Sequence, residues 1–193
     1  LAMYQLGGHS VTLEPGKSSW GIEINEGATM DGDAEEHLKD ATKVLNRYAD
    51  ALAVRCFPKF QDWNVDKKDL VVRQMAKWSS KPVINMETIT HPCQALAMMQ
   101  LIKAKLGAPQ KKKFLLTWSY HPKPLNTAVG NSAGVVAAMF GMDVTLAIPP
   151  GYELDPHYMG LMKDHCKANG AQFEVTHDQD AAYEGANFVY TKS

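Results

Sequence analysis

The second half of the chain alternates short apolar runs with stretches of helical spacing. From residue 113 it reads as strand KFLLTWSY, helix LNTAVGNSAGVVAAMFG, strand DVTLAIP and helix DPHYMGLMKDHCKANG. Strand QFEVTHD, short helix QDAAYEG and strand NFVYTKS follow. Strands separated by helices predict a parallel sheet covered on both faces. The first half carries the same grammar more loosely. A short helix (1–5) turns at Gly7-Gly8 into a strand, HSVTLEP, and a polar loop then presents Trp20. Asp33, with Glu36 three residues on, has the spacing of a capping box. It predicts a helix whose apolar face is Leu38, Ala41, Val44, Leu45 and Tyr48. ALAVRCF (51–57) reads as a buried strand, KKDLVVRQMAKWS as a second amphipathic helix, and KPVINME (81–87) as the next strand. A long helix runs from Pro92 to Leu106, with Gly107 as its C-terminal stop and Pro109 beyond. The expected fold is α/β: two doubly wound parallel-sheet units joined by that helix.

Composition narrows the function classes. A hydrophobic content of 45 % over 193 residues supports a real core, and a net charge of −1 leaves no electrostatic footprint for a nucleic acid or a membrane surface. The one dense basic run, Lys111-Lys112-Lys113, reads as a solvated loop. The three cysteines, Cys56, Cys93 and Cys166, are too few and too far apart for a disulfide framework or a C-x-x-C pair. They favour a reducing, cytoplasmic setting. No apolar run is long enough to cross a bilayer. The chain starts in helix-like sequence and stops on a strand, which predicts a fragment of a longer protein.

Ligands of open α/β sheets bind beyond the carboxyl ends of the strands. Those ends here carry Arg55-Cys56-Phe57, Asn85-Met86-Glu87 leading to His91, Trp118-Ser119-Tyr120-His121, and Tyr190-Thr191-Lys192. Any one polar strand end is most simply a residue leaving the core; four together are a stronger signal. The stretch THPCQALAMMQ (90–100) offers three chemistries. A zinc site would need three or four convergent ligands, and His91, Cys93, Cys56, His121, His165 and Cys166 show no ligand spacing. Cys93 as a nucleophile with His91 lacks an orienting third group, and a small Cys in a core is commoner. The third is a ligand-binding helix start. Pro92 suits the first turn, the free N–H groups and the dipole favour an anion, and His91 and Gln94 can meet a carbonyl and an amide. With Arg55 and Glu87 nearby, this suits a small, doubly charged ligand with an amide end.

NMETITHPCQALA resembles the His-Pro-Cys-Gln signature of the aspartate/ornithine carbamoyltransferase superfamily. TWSYHPKPLNTAVGNS, TMDGDAEEH and VRCFPKF resemble its N-acetylornithine branch most closely. The resemblance implies transfer of a carbamoyl group from carbamoyl phosphate to N-acetyl-L-ornithine, without cofactor or metal, by a homotrimer. It implies a partial carbamoyl-phosphate domain (1–90), an interdomain helix (91–107) and a partial acetylornithine domain (108–193). Arg55, His91 and Gln94 would bind carbamoyl phosphate and serve catalysis, and Trp20 would reach a neighbouring subunit's site. Glu87, Asn126, Lys192 and Phe57 would contact acetylornithine. Glu35 would repel the extra carboxylate of a succinyl tail; its bland alternative is a first-turn glutamate favoured by the helix dipole. The stretch GYELDP resembles the succinylornithine relatives instead, which keeps that substrate as the alternative.

The family's Ser/Met-x-Arg-Thr-x-Thr phosphate loop would lie upstream of Leu1, and its His-Cys-Leu-Pro motif and a lysine that is carboxylated in some members beyond Ser193. The isolated chain is therefore expected to be inactive. HPKPLN would be the stiff loop of the family's deep backbone knot, threaded by a segment that begins near His177. Two readings from other classes stand beside this one. A non-catalytic paralogue or binding module would keep the amino-acid half of the site. A nucleotide-binding α/β protein lacks its Gly-rich loop here.

Overall fold

The structure, a computed structural model, describes residues 1–123 and 125–192. Pro124, the second proline of HPKPLN, and Ser193 lie outside the described residues. By its contacts the chain divides into two units, one of residues 1–52 and 70–84, the other of residues 53–69 and 85–193.

The first unit holds α1 (Ala2–Gln5), β1 (Ile22–Glu23), β2 (Glu36–His37), α2 (Leu38–Leu45) and α4 (Leu70–Trp78). Helix α2 packs on α4. Lys39 and Lys77 lie over the Trp78 ring, at 4.5 and 4.6 Å, so their stems cover apolar surface while their charges stay in water. Several expectations need correction here. Residues 9–15 form no strand: they are exposed, and among the described residues no strand pairs with them. Helix α2 starts at Leu38 rather than after Asp33, because Glu36 is taken into a parallel bridge with Ile22. Its cap is His37, whose Nδ1 accepts from Lys39 N at 3.1 Å while Nε2 meets the Asn25 carbonyl at 3.0 Å. A neutral ring protonated on Nε2 satisfies both bonds. The buried face of α2 is Leu38, Ala41 and Thr42, and Val44 and Tyr48 are exposed. In place of a doubly wound sheet, this half of the chain carries two two-stranded sheets. One is β1–β2; the other pairs β3 (Leu52–Arg55) with β4 (Val83–Glu87), strands divided between the units. Strand β3 alternates buried and exposed positions, so it is not buried on both faces.

The second unit follows the predicted alternation. It adds α3 (Trp63–Asp66), α5 (Pro92–Leu106), β5 (Lys113–Trp118), α6 (Ala128–Met139), β6 (Asp143–Ala147), α7 (Pro156–Ala168), β7 (Phe173–Thr176), α8 (Gln179–Tyr183) and β8 (Phe188–Lys192). Four strands pair in the order β7-β6-β5-β8, all parallel. Alternate residues of β5 face opposite ways. Phe114 and Leu116 join the large core with α5, α6 and α7, while Leu115 packs with Ala147 and with Ala182 of α8. Both faces are thus covered, as parallel strands require. The order reverses between β5 and β8, and that is where an open α/β sheet opens a crevice at its carboxyl edge.

Helix α6 is apolar nearly all round, and most of it is buried; such a helix lies inside a protein rather than on its surface. It packs against both α5 and α7. A Cβ at Gly130 would come within 2.7 Å of Trp118 Cη2, and the Trp118 ring is anchored by its Nε1–H donating to the Tyr152 carbonyl at 3.0 Å. Gly130→Ala should therefore destabilise the protein. Overpacking costs about 1–3 kcal/mol, of which helix propensity returns roughly 1 kcal/mol. A lower urea midpoint with an unchanged m-value checks this; an unchanged midpoint refutes it.

Candidate functional site

Between β4 and α5 the chain must carry polar backbone past the buried start of α6. Residues 88 to 91, Thr-Ile-Thr-His, make that passage, and three side chains near the start of α6 hold them. Asn126 Nδ2 donates to the Thr88 carbonyl at 2.7 Å, Asn131 Nδ2 to the Ile89 carbonyl at 3.0 Å, and Ser132 Oγ accepts from His91 N at 2.7 Å. From the other side, Asn85 Nδ2 donates to Thr88 Oγ1 and Thr90 Oγ1 at 2.9 and 3.0 Å. Thr88 Oγ1 in turn donates to Asp69 Oδ2 at 2.8 Å. Thr88 is fully buried, so these bonds remove polar groups that would otherwise cost about 1–3 kcal/mol each.

Helix α5 begins as expected, with His91 at the N-cap and Pro92 in the first turn. The His91 ring makes no capping bond of its own. Its Nε2 lies 4.0 Å from Glu87 Oε2, and that carboxylate accepts from Arg55 Nη2 at 3.0 Å. Glu87 is largely buried at 14 % side-chain exposure, whereas Arg55 is 60 % exposed with its guanidinium 4.8 Å from the Phe57 ring. One turn into the helix, Gln94 Nε2 donates to Tyr190 Oη at 2.7 Å. Tyr190 stands on β8, two residues before Lys192, whose register partner is Trp118 at the end of β5. Gln94 and Lys192 are thus tied to the strand on one side of the crevice.

The structure therefore brings together Arg55, Phe57, Glu87 and His91, and links Gln94 to β8. Asn126 is placed as a bridge: its Nδ2 is on Thr88, and its Oδ1 accepts from Ala128 N at 3.1 Å. Trp20 and Glu35 belong to the first unit. Trp20 is 56 % exposed. Glu35 precedes α2 instead of sitting in its first turn, and its Oε2 accepts from Gly21 N at 2.7 Å. Ser132 and Asn131 are participants that no strand-end or helix-start pattern marks, while Asn85 and Tyr190 lie in the strand ends already singled out. The polar residues in the otherwise apolar AVGNSAG run were the available signal for two of them. Among the described residues no three His, Cys, Asp or Glu side chains converge on a metal position, and no helix is long and apolar enough to cross a membrane.

Two family models match this chain outside residues 105–124. "Aspartate/ornithine carbamoyltransferase, carbamoyl-P binding domain" matches residues 1–104, and "Aspartate/ornithine carbamoyltransferase, Asp/Orn binding domain" matches residues 125–193. The chain belongs to the aspartate/ornithine carbamoyltransferase family. It is 53 % identical to the N-acetylornithine carbamoyltransferase of Xanthomonas campestris pv. campestris, over all of this chain and 58 % of that protein. With the N-succinylornithine carbamoyltransferase of Bacteroides thetaiotaomicron the identity is 34 %, over all of this chain and 57 % of that protein. The fold superposes on an acetylornithine transcarbamylase complexed with acetylcitrulline at a TM-score of 0.96 and 52 % identity, covering 99 % of this chain and 58 % of that one. An E-to-P mutant of N-acetyl-L-ornithine transcarbamylase, complexed with carbamyl phosphate and N-succinyl-L-norvaline, matches equally well (0.96, 52 %, the same coverage). The chain thus spans a little over half the length of these relatives and has the family's α/β fold with parallel sheets.

The thiols are not equivalent. Burial, helped by the Asp69 charge, raises the Cys56 pKa above its usual value, and burial likewise raises that of Cys166. Cys93 is exposed, with Sγ 3.5 Å from the Asn85 carbonyl. Since the thiolate is the nucleophile, iodoacetamide at pH 8 should alkylate Cys93 well ahead of Cys56 and Cys166. Peptide mass mapping over time reads the order, and modification of Cys56 or Cys166 first would contradict it.

Proposed function

We propose that the protein transfers the carbamoyl group of carbamoyl phosphate to the δ-amine of N-acetyl-L-ornithine, giving N-acetyl-L-citrulline and phosphate. The observation that carries this reading is the Arg55–Glu87–His91 cluster at the start of α5, with Gln94 one turn in. The δ-amine attacks the carbamoyl carbon, a tetrahedral oxyanion forms, the carbon–oxygen bond to phosphate breaks and the amine gives up a proton. His91 and Arg55 supply donors for the oxyanion, and Gln94 holds the carbamoyl NH₂. The N-terminus of α5 adds its unpaired N–H groups and positive dipole end.

In the free protein Glu87 neutralises Arg55. Arg55 is the exposed member of that pair, so its guanidinium is open to an arriving anion. Glu87 is then left to meet the second substrate. Lys192 suits the α-carboxylate of acetylornithine, Phe57 walls the acyl end, and Asn126 contacts the amino acid while bracing the 88–91 segment. Trp20 completes the site of a neighbouring subunit in a homotrimer. The division into a carbamoyl-phosphate domain (1–90), a joining helix (91–107) and an acetylornithine domain (108–193), with a knot built around HPKPLN, belongs to the same reading.

Glu35 sets the acyl preference, because a carboxylate repels the second carboxylate of a succinyl tail. The closer identity to an acetylornithine enzyme than to a succinylornithine one supports this. In the same reading Glu35 corresponds to the glutamate replaced by proline in the relative complexed with N-succinyl-L-norvaline. The complete gene product should make acetylcitrulline, and Glu35→Pro should shift kcat/KM toward N-succinylornithine by at least about tenfold, the worth of ~1.4 kcal/mol. Faster turnover of succinylornithine by the unsubstituted protein reverses the substrate assignment. No carbamoyl transfer to either substrate removes the functional reading.

A further inference from the structure

We infer that Ser132 is a positioning residue for His91, an inference that rests on the functional reading above. His91 precedes Pro92, which has no N–H, so this pair of residues offers one backbone donor and it is His91's. That donor meets Ser132 Oγ at 2.7 Å, and Ser132 is only 7 % exposed. The imidazole has little else to hold it. Its Nδ1 is buried without a hydrogen-bond partner among the described residues, and Nε2 comes no closer than 4.0 Å to Glu87. The aim of the ring is therefore set through the main chain at residue 91, and the main chain is set by Ser132.

Ser132 is a suitable fixed point because α6 has no room to shift. It packs between α5 and α7, and Gly130 is closed against the anchored Trp118 ring. Asn126 and Asn131 hold the carbonyls of Thr88 and Ile89, so they restrain the approach to His91 without touching its own N–H. Loss of the Ser132 hydroxyl leaves that N–H unpaired and frees residue 91 to turn. The donor aimed at the developing oxyanion is then misplaced, while the groups that bind phosphate stay where they are. A misplacement on the ångström scale is enough to matter in catalysis.

The test uses the complete gene product, with active sites counted by the stoichiometry of carbamoyl phosphate binding. Ser132→Ala should lower kcat per site by about 10- to 100-fold. The KM for carbamoyl phosphate should stay within about threefold, the signature of an interaction that acts in the transition state. Ser132→Thr, which keeps the hydroxyl, should restore kcat to within about threefold of the unsubstituted enzyme. If Ser132→Ala does not fold, Ser132→Cys replaces it. A thiol is a weaker acceptor, and kcat at least about fivefold below that of the threonine variant supports the inference, whereas equal values overturn it. It is also overturned if Ser132→Ala keeps kcat within about twofold per site, or if lost activity tracks lost binding sites. No turnover by the unsubstituted protein instead overturns the functional reading and this inference with it; retained turnover in the alanine variant overturns this inference alone.

Discussion

Everything at the candidate site depends on one constraint: the backbone between β4 and α5 has to cross a dry junction without leaving its polar groups unpaired. An unmade hydrogen bond in such a place costs more than a made one contributes, so the sequence must supply partners. It does so from α6, which is otherwise lined with alanine, glycine and valine. Asn131 and Ser132 are polar in a helix where their neighbours are packed in the core, and they are used there: Asn131 Nδ2 donates to the Ile89 carbonyl and to Thr127 Oγ1, and Ser132 Oγ accepts from the N–H of His91. The bonds that satisfy the junction also fix where His91 stands.

Electrostatics then works on a rigid frame. Glu87 is mostly buried and Arg55 mostly exposed, so one carboxylate pairs with a guanidinium that stays open to solvent. The same carboxylate faces the His91 ring at a longer distance. Buried anions are tolerated when a cation and hydrogen bonds attend them. Here the attending cation is 60 % exposed, unlike that of a fully buried pair.

The second unit was largely legible in the sequence because its central strands, β5 and β6, are buried on both faces. Runs such as FLL in β5 and VTLA in β6 have few other readings once helices flank them. Pro92 and Gly107 bounded α5 by backbone chemistry alone. The first unit was less legible. Its short strands are made by tertiary pairing, as with Glu36, whose side chain suggested a capping box until the bridge to Ile22 claimed its backbone. At the site, charged and aromatic residues at strand ends could be picked out, since they depart from the pattern. Ser132 could not, nor could the pairing of Gln94 with Tyr190: the partners lie 41 and 96 residues apart, a proximity that no local spacing encodes.

The strand order carries a consequence for how the molecule is made. Strand β8 follows β6 and β7 in sequence, yet it lies beside β5, and at the start of their pairing Lys113 N donates to Asn187 Oδ1 across 74 residues. Contacts that span so much chain form late, after the entropy of closing the loop has been met by other interactions. The crevice between β5 and β8 therefore has only one wall for most of the folding path. Until β8 docks, the carboxyl edge of β5 has a neighbour on the β6 side alone among the described strands.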